Sequence, residues 1–192
     1  MVVFDATMLL LLLSPNATAP TDAATGKPVE HAQQRLEGLL KQLEADRTKI
    51  IVPAPALSEI LVRAGKAGPE YLDRLNRSSA FRIVSFDIRA AVEVAQMTRS
   101  AIDSGNKRTD PEATWAKIKY DRQIVAIARV ENASIIYSDD RHIRRLAADA
   151  GMSVIGIAEV PLPDDLKQMD LLSLTPPERP SETPHQGPTQ SI

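Results

Sequence analysis

Apolar runs of three or four residues alternate along this chain with longer stretches in which apolar positions recur every three or four residues. Val2-Val3-Phe4, closed by Asp5, reads as a buried strand, and the Leu-rich stretch behind it as a buried helix. Residues 14–28 are mostly turn formers and predict a long surface loop. Leu36, Leu39, Leu40 and Leu43 mark one face of a helix over 29–45. A short strand is expected over 49–52, ended by Pro53. Pro55 suits the first turn of a helix carrying Leu57, Ile60, Leu61 and Ala64. Gly65 and Gly68 bracket a turn before a helix over 69–77. Residues 81–84 alternate as a strand does, and Asp87 caps a long helix containing Ile88, Ala91, Val92, Ala95 and Ile102. Past a polar, turn-prone stretch at 104–111, helix is expected over 112–130, strand over 134–138, helix over 141–150 and strand over 152–157. Strands alternating with helices in units of crossover length predict an α/β fold, three α/β/α layers around a mainly parallel sheet.

Beyond Val160 the periodicity stops. Seven of the 14 prolines lie between Pro161 and Pro188, among Ser, Thr, Gln and acidic residues. One domain over 1–157 and an acidic, largely disordered tail over 158–192 are therefore expected, with leucines enough at 166–174 for a short docking helix. The chain has no cysteine, which excludes disulfides, thiol nucleophiles and Cys-based zinc sites. His31, His142 and His185 are scattered, which argues against a histidine-based metal centre. The net charge is −2, but residues 159–192 hold six acidic and two basic side chains, leaving the body at +2. That is short of a dedicated nucleic-acid binder and compatible with brief contact to RNA through local patches. The run from Met8 to Leu13 looks like a signal-peptide core, but Asp5 replaces the positive flank and the run is too short to cross a bilayer. A cytoplasmic protein without membrane association is expected.

Four carboxylates carry the chemistry: Asp5, Glu59, Asp121 and Asp140. Asp5 and Asp140 close apolar strands, and ligands in open parallel sheets bind beyond the carboxyl ends of the strands. Asp121 shares a helix stripe with Ile124, Val125 and Ala128, where a carboxylate is costly unless paired or metal-bound. Glu59 falls early in the helix that Pro55 opens. Each has a blander reading. Asp5 and Asp140 could cap helices, Asp121 could pair with Lys117, and Glu59 could complement a helix N-terminus. Jointly they suggest a cluster neutralised by a hard divalent cation, Mg²⁺ or Mn²⁺, and metal-assisted phosphodiester chemistry.

Set in order, these segments resemble the PIN domain family. Val2-Val3-Phe4-Asp5-Ala6-Thr7 is similar to that family's opening, and Ala56-Leu57-Ser58-Glu59-Ile60-Leu61 to its second motif. Residues 121–128, Asp followed by a small apolar helix, resemble the third, and Ile135 to Asp140 the last. The resemblance spans residues 1–157 and implies an endoribonuclease. Asp5, Glu59, Asp121 and Asp140 would be its metal ligands and catalytic residues, with Asp139 as the alternate to Asp140. Thr7 and Ser138 would orient the ligands from behind. It also implies a homodimer, and the role of a toxin held by an antitoxin partner. Arg63, Lys66, Lys107, Arg108, Lys117, Lys119 and Arg122 are expected near the rim as RNA contacts. The long loop at 14–28, the stretch before Asp121 and the tail depart from the family pattern. Two other readings compete. A haloacid-dehalogenase-like phosphatase would use Asp5 as nucleophile, but Thr7 stands where its second Asp belongs. A non-catalytic module of the same fold would use only its surface or tail.

Overall fold

The computed structural model describes residues 1–14, 16–105 and 114–164. The chain divides into two units, Met1–Leu162 and Pro163–Ile192, and the sheet with its covering helices belongs to the first. The tail beyond Asp164, including the leucines at 166–174, lies outside the described residues, as do Lys107 and Arg108.

Five strands form one parallel sheet: β1 (Val2–Phe4), β2 (Ile50–Pro53), β3 (Phe81–Val84), β4 (Ile135–Tyr137) and β5 (Ser153–Ile155). Their order is β3-β2-β1-β4-β5. Val3 pairs with Ile51 on one side and Ile136 on the other. Every residue of β1 and β2 is buried, and successive side chains of a strand point to opposite faces. Helices therefore cover both sides of the centre, as the continuous apolar runs require. The edge strands β3 and β5 are only half-buried.

The connections are α1 (Ala6–Leu13), α2 (Ala32–Ala45), α3 (Ala54–Ala64), α4 (Gly68–Arg77), α5 (Ile88–Asp103), α6 (Trp115–Val130) and α7 (Arg141–Asp149). Leu36, Leu39 and Leu43 are the buried leucines of α2, as their spacing predicts. That helix starts at Ala32, three residues late, because His31 takes a left-handed conformation (φ 55°). Between α1 and α2 the loop closes on itself: Thr21 bridges Pro28, and Asp22 N–H donates to the Lys27 carbonyl at 2.8 Å. Ile124 to Ala128 are all buried, so α6 is a core helix rather than a surface one, packed against α5 and α7. The last strand stops at Ile155 because the Gly156 and Ile157 amides donate to the side chains of Glu159 and Asp139.

The topology decides where a ligand can sit. The chain leaves β1 towards β2 and β3, then returns across the sheet to place β4 on the other side of β1. Between β1 and β4 the strand order reverses, and a crevice opens beyond the carboxyl ends of those two strands.

Candidate active site

Asp5 and Asp140 follow β1 and β4, at the mouth of that crevice. Both begin helices. Asp5 Oδ1 accepts from Met8 N–H at 2.9 Å, and Asp140 Oδ1 accepts from His142 N–H at 2.7 Å and Ile143 N–H at 3.3 Å. Capping uses one oxygen of each carboxylate, and the second oxygen of each takes a side-chain partner, Ser138 for Asp5 and Lys117 for Asp140. The Ser138 hydroxyl joins them: it donates to Asp5 Oδ2 at 2.5 Å and accepts from Asp140 N–H at 3.0 Å.

Asp5, Glu59, Asp121 and Asp140 line one cleft of about 610 Å³, together with Thr7, Arg63, Lys117 and Tyr120. Larger hollows along α5 and beside α2 gather no such set. Asp121, 5% exposed, arrives from α6 as its stripe predicts, and its Oδ2 lies 2.7 Å from His142 Nδ1 and 3.2 Å from Lys117 Nζ. Lys117 also bonds Asp140, so one ammonium ties carboxylates from α6 and the start of α7. Glu59 reaches the cleft from α3. It stands at the mouth, 46% exposed, paired with Arg63 at 2.8 Å in the i, i+4 arrangement of α3. The capping and pairing roles that compete with metal binding are thus partly real: Asp5 and Asp140 do cap helices, and Asp121 does pair with Lys117.

Electrostatics separates the members. Burial pushes the Asp5 acid up to about 7, Asp139 and Asp140 add to the effect, and hydrogen bonds from Ser138 and Met8 oppose it. Asp140 goes the other way. Burial would raise it, but the hydrogen bond and charge of Lys117 hold it below its ordinary value. Lys117 is raised in turn, because Asp140 and Asp121 outweigh the cost of its burial.

Several sequence expectations fare differently. Asp139 does not line the cleft; its Oδ1 accepts from Ile157 N–H at 2.9 Å, and Asp140 is the one of the pair on the cleft wall. Arg122 is 4% exposed and bonds Thr98 of α5 at 3.3 Å, so it is not a rim residue. Helical register puts it on the α5 side of α6, one residue round from Asp121. Lys66 and Lys119 are exposed but do not line the cleft, whereas Arg63 and Lys117 do. Thr7 lines the cleft, half-buried. Two residues of the site carry no sequence expectation. His142 is buried against Asp121, and its position two residues after Asp140 in the first turn of α7 is the signal that points to it. Tyr120 stands exposed at the rim beside Asp121.

The donor set is all oxygen and anionic, which suits a hard divalent cation. Among the described residues no three Asp, Glu or His side chains are arranged to hold one ion. The reason is local. Lys117 lies between Asp121 and Asp140, and Glu59 is drawn out to Arg63. The chemistry therefore fits a cation, and the Lys117 ammonium stands where the carboxylates call for positive charge.

A model of the PIN domain matches residues 30–149. The chain belongs to the PIN domain family. Among solved structures, the fold is similar to VapBC2 from Rickettsia felis bound to a DNA fragment from its promoter, with TM-score 0.55 and 14% identity, covering 81% of this chain and 98% of that one. It is also similar to DNA-bound VapBC from Salmonella typhimurium, with TM-score 0.50 and 14% identity over 81% and 97%. No curated protein matches the chain. Asp5, Glu59, Asp121 and Asp140 share the wall of a single cleft. Among the described residues no helix is long and apolar enough to cross a membrane.

Proposed function

We propose that this PIN domain is a Mg²⁺- or Mn²⁺-dependent endoribonuclease acting in the cytoplasm, the toxin of a toxin–antitoxin pair. The observation that carries the reading is the convergence of Asp5, Glu59, Asp121 and Asp140 on one cleft at the strand-order reversal. These four side chains would hold the ion. When bound, it supplies Lewis-acid activation of water and neutralises charge on the phosphate. The rest is the work of the chain. Ser138 fixes Asp5, and His142 fixes Asp121, so the ligands are oriented before substrate arrives. Lys117 and Arg63 present positive charge to the phosphodiester along the cleft wall. Tyr120 offers an exposed ring on which an unpaired base can stack, the usual way single-stranded RNA is held.

The antitoxin assignment draws on the likeness to VapBC complexes. Ile88, Val92 and Ile102, exposed along α5, favour a homodimer because a second copy would cover them. Family membership leaves the phosphatase reading without support of its own.

Incubation with structured RNA and Mg²⁺ should give internal cleavage, abolished by EDTA and by Asp5→Asn, with negligible turnover of a small phosphomonoester. Robust monoester hydrolysis with RNA left intact would overturn the assignment. Inactivity on a broad panel of RNAs would favour a non-catalytic module.

A further inference from the structure

Lys117 stands one turn before Asp121 on α6, close enough for its stem to run along the same helix face. Its head group reaches beyond Asp121 to Asp140 at the start of α7. Two carboxylates from separate elements are thereby held together by a single ammonium. Without it, Asp140 and the buried Asp121 would face each other without the ammonium that offsets their charge. A lysine head group is a compact charge on a flexible four-carbon stem, and 43% of this side chain is exposed. It therefore has both the freedom and the path to move out of the pair. Arg122, locked beneath α5, has neither.

We propose that Lys117 is an exchangeable counter-ion of the metal site. In the metal-free protein it holds Asp121 and Asp140 in place. A divalent ion displaces it from those oxygens, and the freed ammonium turns towards the cleft, where the RNA phosphate lies. The inference rests on the metal-dependent reading of this cleft and adds a competitor that every arriving ion must expel. A permanent structural bridge makes the opposite prediction. If Lys117 only braces the two ligands, its loss lets them drift and weakens metal binding.

The sign of the affinity change separates the two. Mn²⁺ is titrated calorimetrically into the full-length wild type, Lys117→Met and Lys119→Met, and each is melted in EDTA and in Mn²⁺. Lys119 is exposed and outside the cleft, so its substitution removes the same charge without touching the carboxylates. Lys117→Met should bind Mn²⁺ about tenfold more tightly than wild type. It should melt lower in EDTA and gain more from Mn²⁺ than wild type does. Lys119→Met should stay within about twofold of wild-type affinity. Should Lys117→Met fail to fold, Lys117→Gln carries the same test, since a neutral amide keeps some hydrogen bonding. Equal or weaker Mn²⁺ binding by the Lys117 variants overturns the exchange while leaving the metal site standing. An equal gain in Lys119→Met overturns it too, because net charge alone would then be the cause. Absence of Mn²⁺ binding in every variant removes the exchange and the metal reading together.

Discussion

Asp139 and Asp140 are neighbours in the chain and serve two unlike acidic clusters. Asp140 lines an open cleft with Asp5 and Asp121, where the half-exposed Lys117 supplies the counter-charge. Asp139 faces the far side of β4, where Glu159 accepts from the Gly156 amide at 2.7 Å and pairs with Arg144. That second cluster packs closely around Gly156. A methyl group built on Gly156 would meet Asp139 Oδ1 at 2.7 Å and Arg144 and Glu159 at 3.3 Å each. Its acids terminate β5 and start the 3₁₀ turn Ile157–Glu159. Burial pushes both Asp139 and Asp5 above the ordinary carboxylate range. Acidity and burial therefore do not distinguish the two sites; the open cleft, and the lysine that bridges two of its carboxylates, do.

The widest separation should appear in catalysis. Asp140→Asn keeps an oxygen to cap α7 but loses a charged ligand, so RNA cleavage should fall by about a hundredfold or more. Asp139→Asn should stay within a few-fold of wild type. Comparable losses in both would erase the distinction between the clusters. In stability the order inverts. Gly156→Ala forces a methyl against a pinned carboxylate and should cost about 1–3 kcal/mol in chemical denaturation, with Mn²⁺ affinity unchanged. An undiminished stability would mean that Arg144 and Glu159 give way freely.

A smaller effect tests the buried acid directly. Asp5 binds its proton more tightly in the folded chain than in the unfolded one, since its folded value is raised to about 7. Its contribution is thus complete below about pH 4 and is lost as pH rises towards and through about 7. Asp140, held low, opposes this by losing stability as pH falls through the acid range. In EDTA, the stability of Asp5→Asn relative to wild type should therefore grow between pH 5 and pH 8, by a few kcal/mol at most. A difference that stays flat over that range would show that Asp5 ionises normally.

Most of the scaffold is legible in the sequence, because its central strands are unbroken apolar runs and its helices carry strong stripes. The start of α2 is not, since the left-handed turn at His31 is set by the loop before it rather than by local periodicity. In the site, Asp5, Asp121 and Asp140 stand out because each sits at the end or on the inner face of a strongly patterned element. Position early in α3 brings Glu59 to the cleft, but says nothing about its bond to Arg63. Charge alone assigns Arg122 to the rim, while the fold puts it under α5. The contact of His142 with Asp121 spans 21 residues and exists only once α6 and α7 pack together. Local pattern cannot supply that contact.

Anomalous diffraction from crystals grown with Mn²⁺ decides whether the cleft carboxylates, and not the neighbouring acidic cluster, hold a divalent ion. The expected result is metal density among oxygens of Asp5, Glu59, Asp121 and Asp140, with the Lys117 head group withdrawn from Asp140. Metal bound instead between Asp139 and Glu159, or a cleft left empty at saturating Mn²⁺ with Lys117 still bridging, would contradict it.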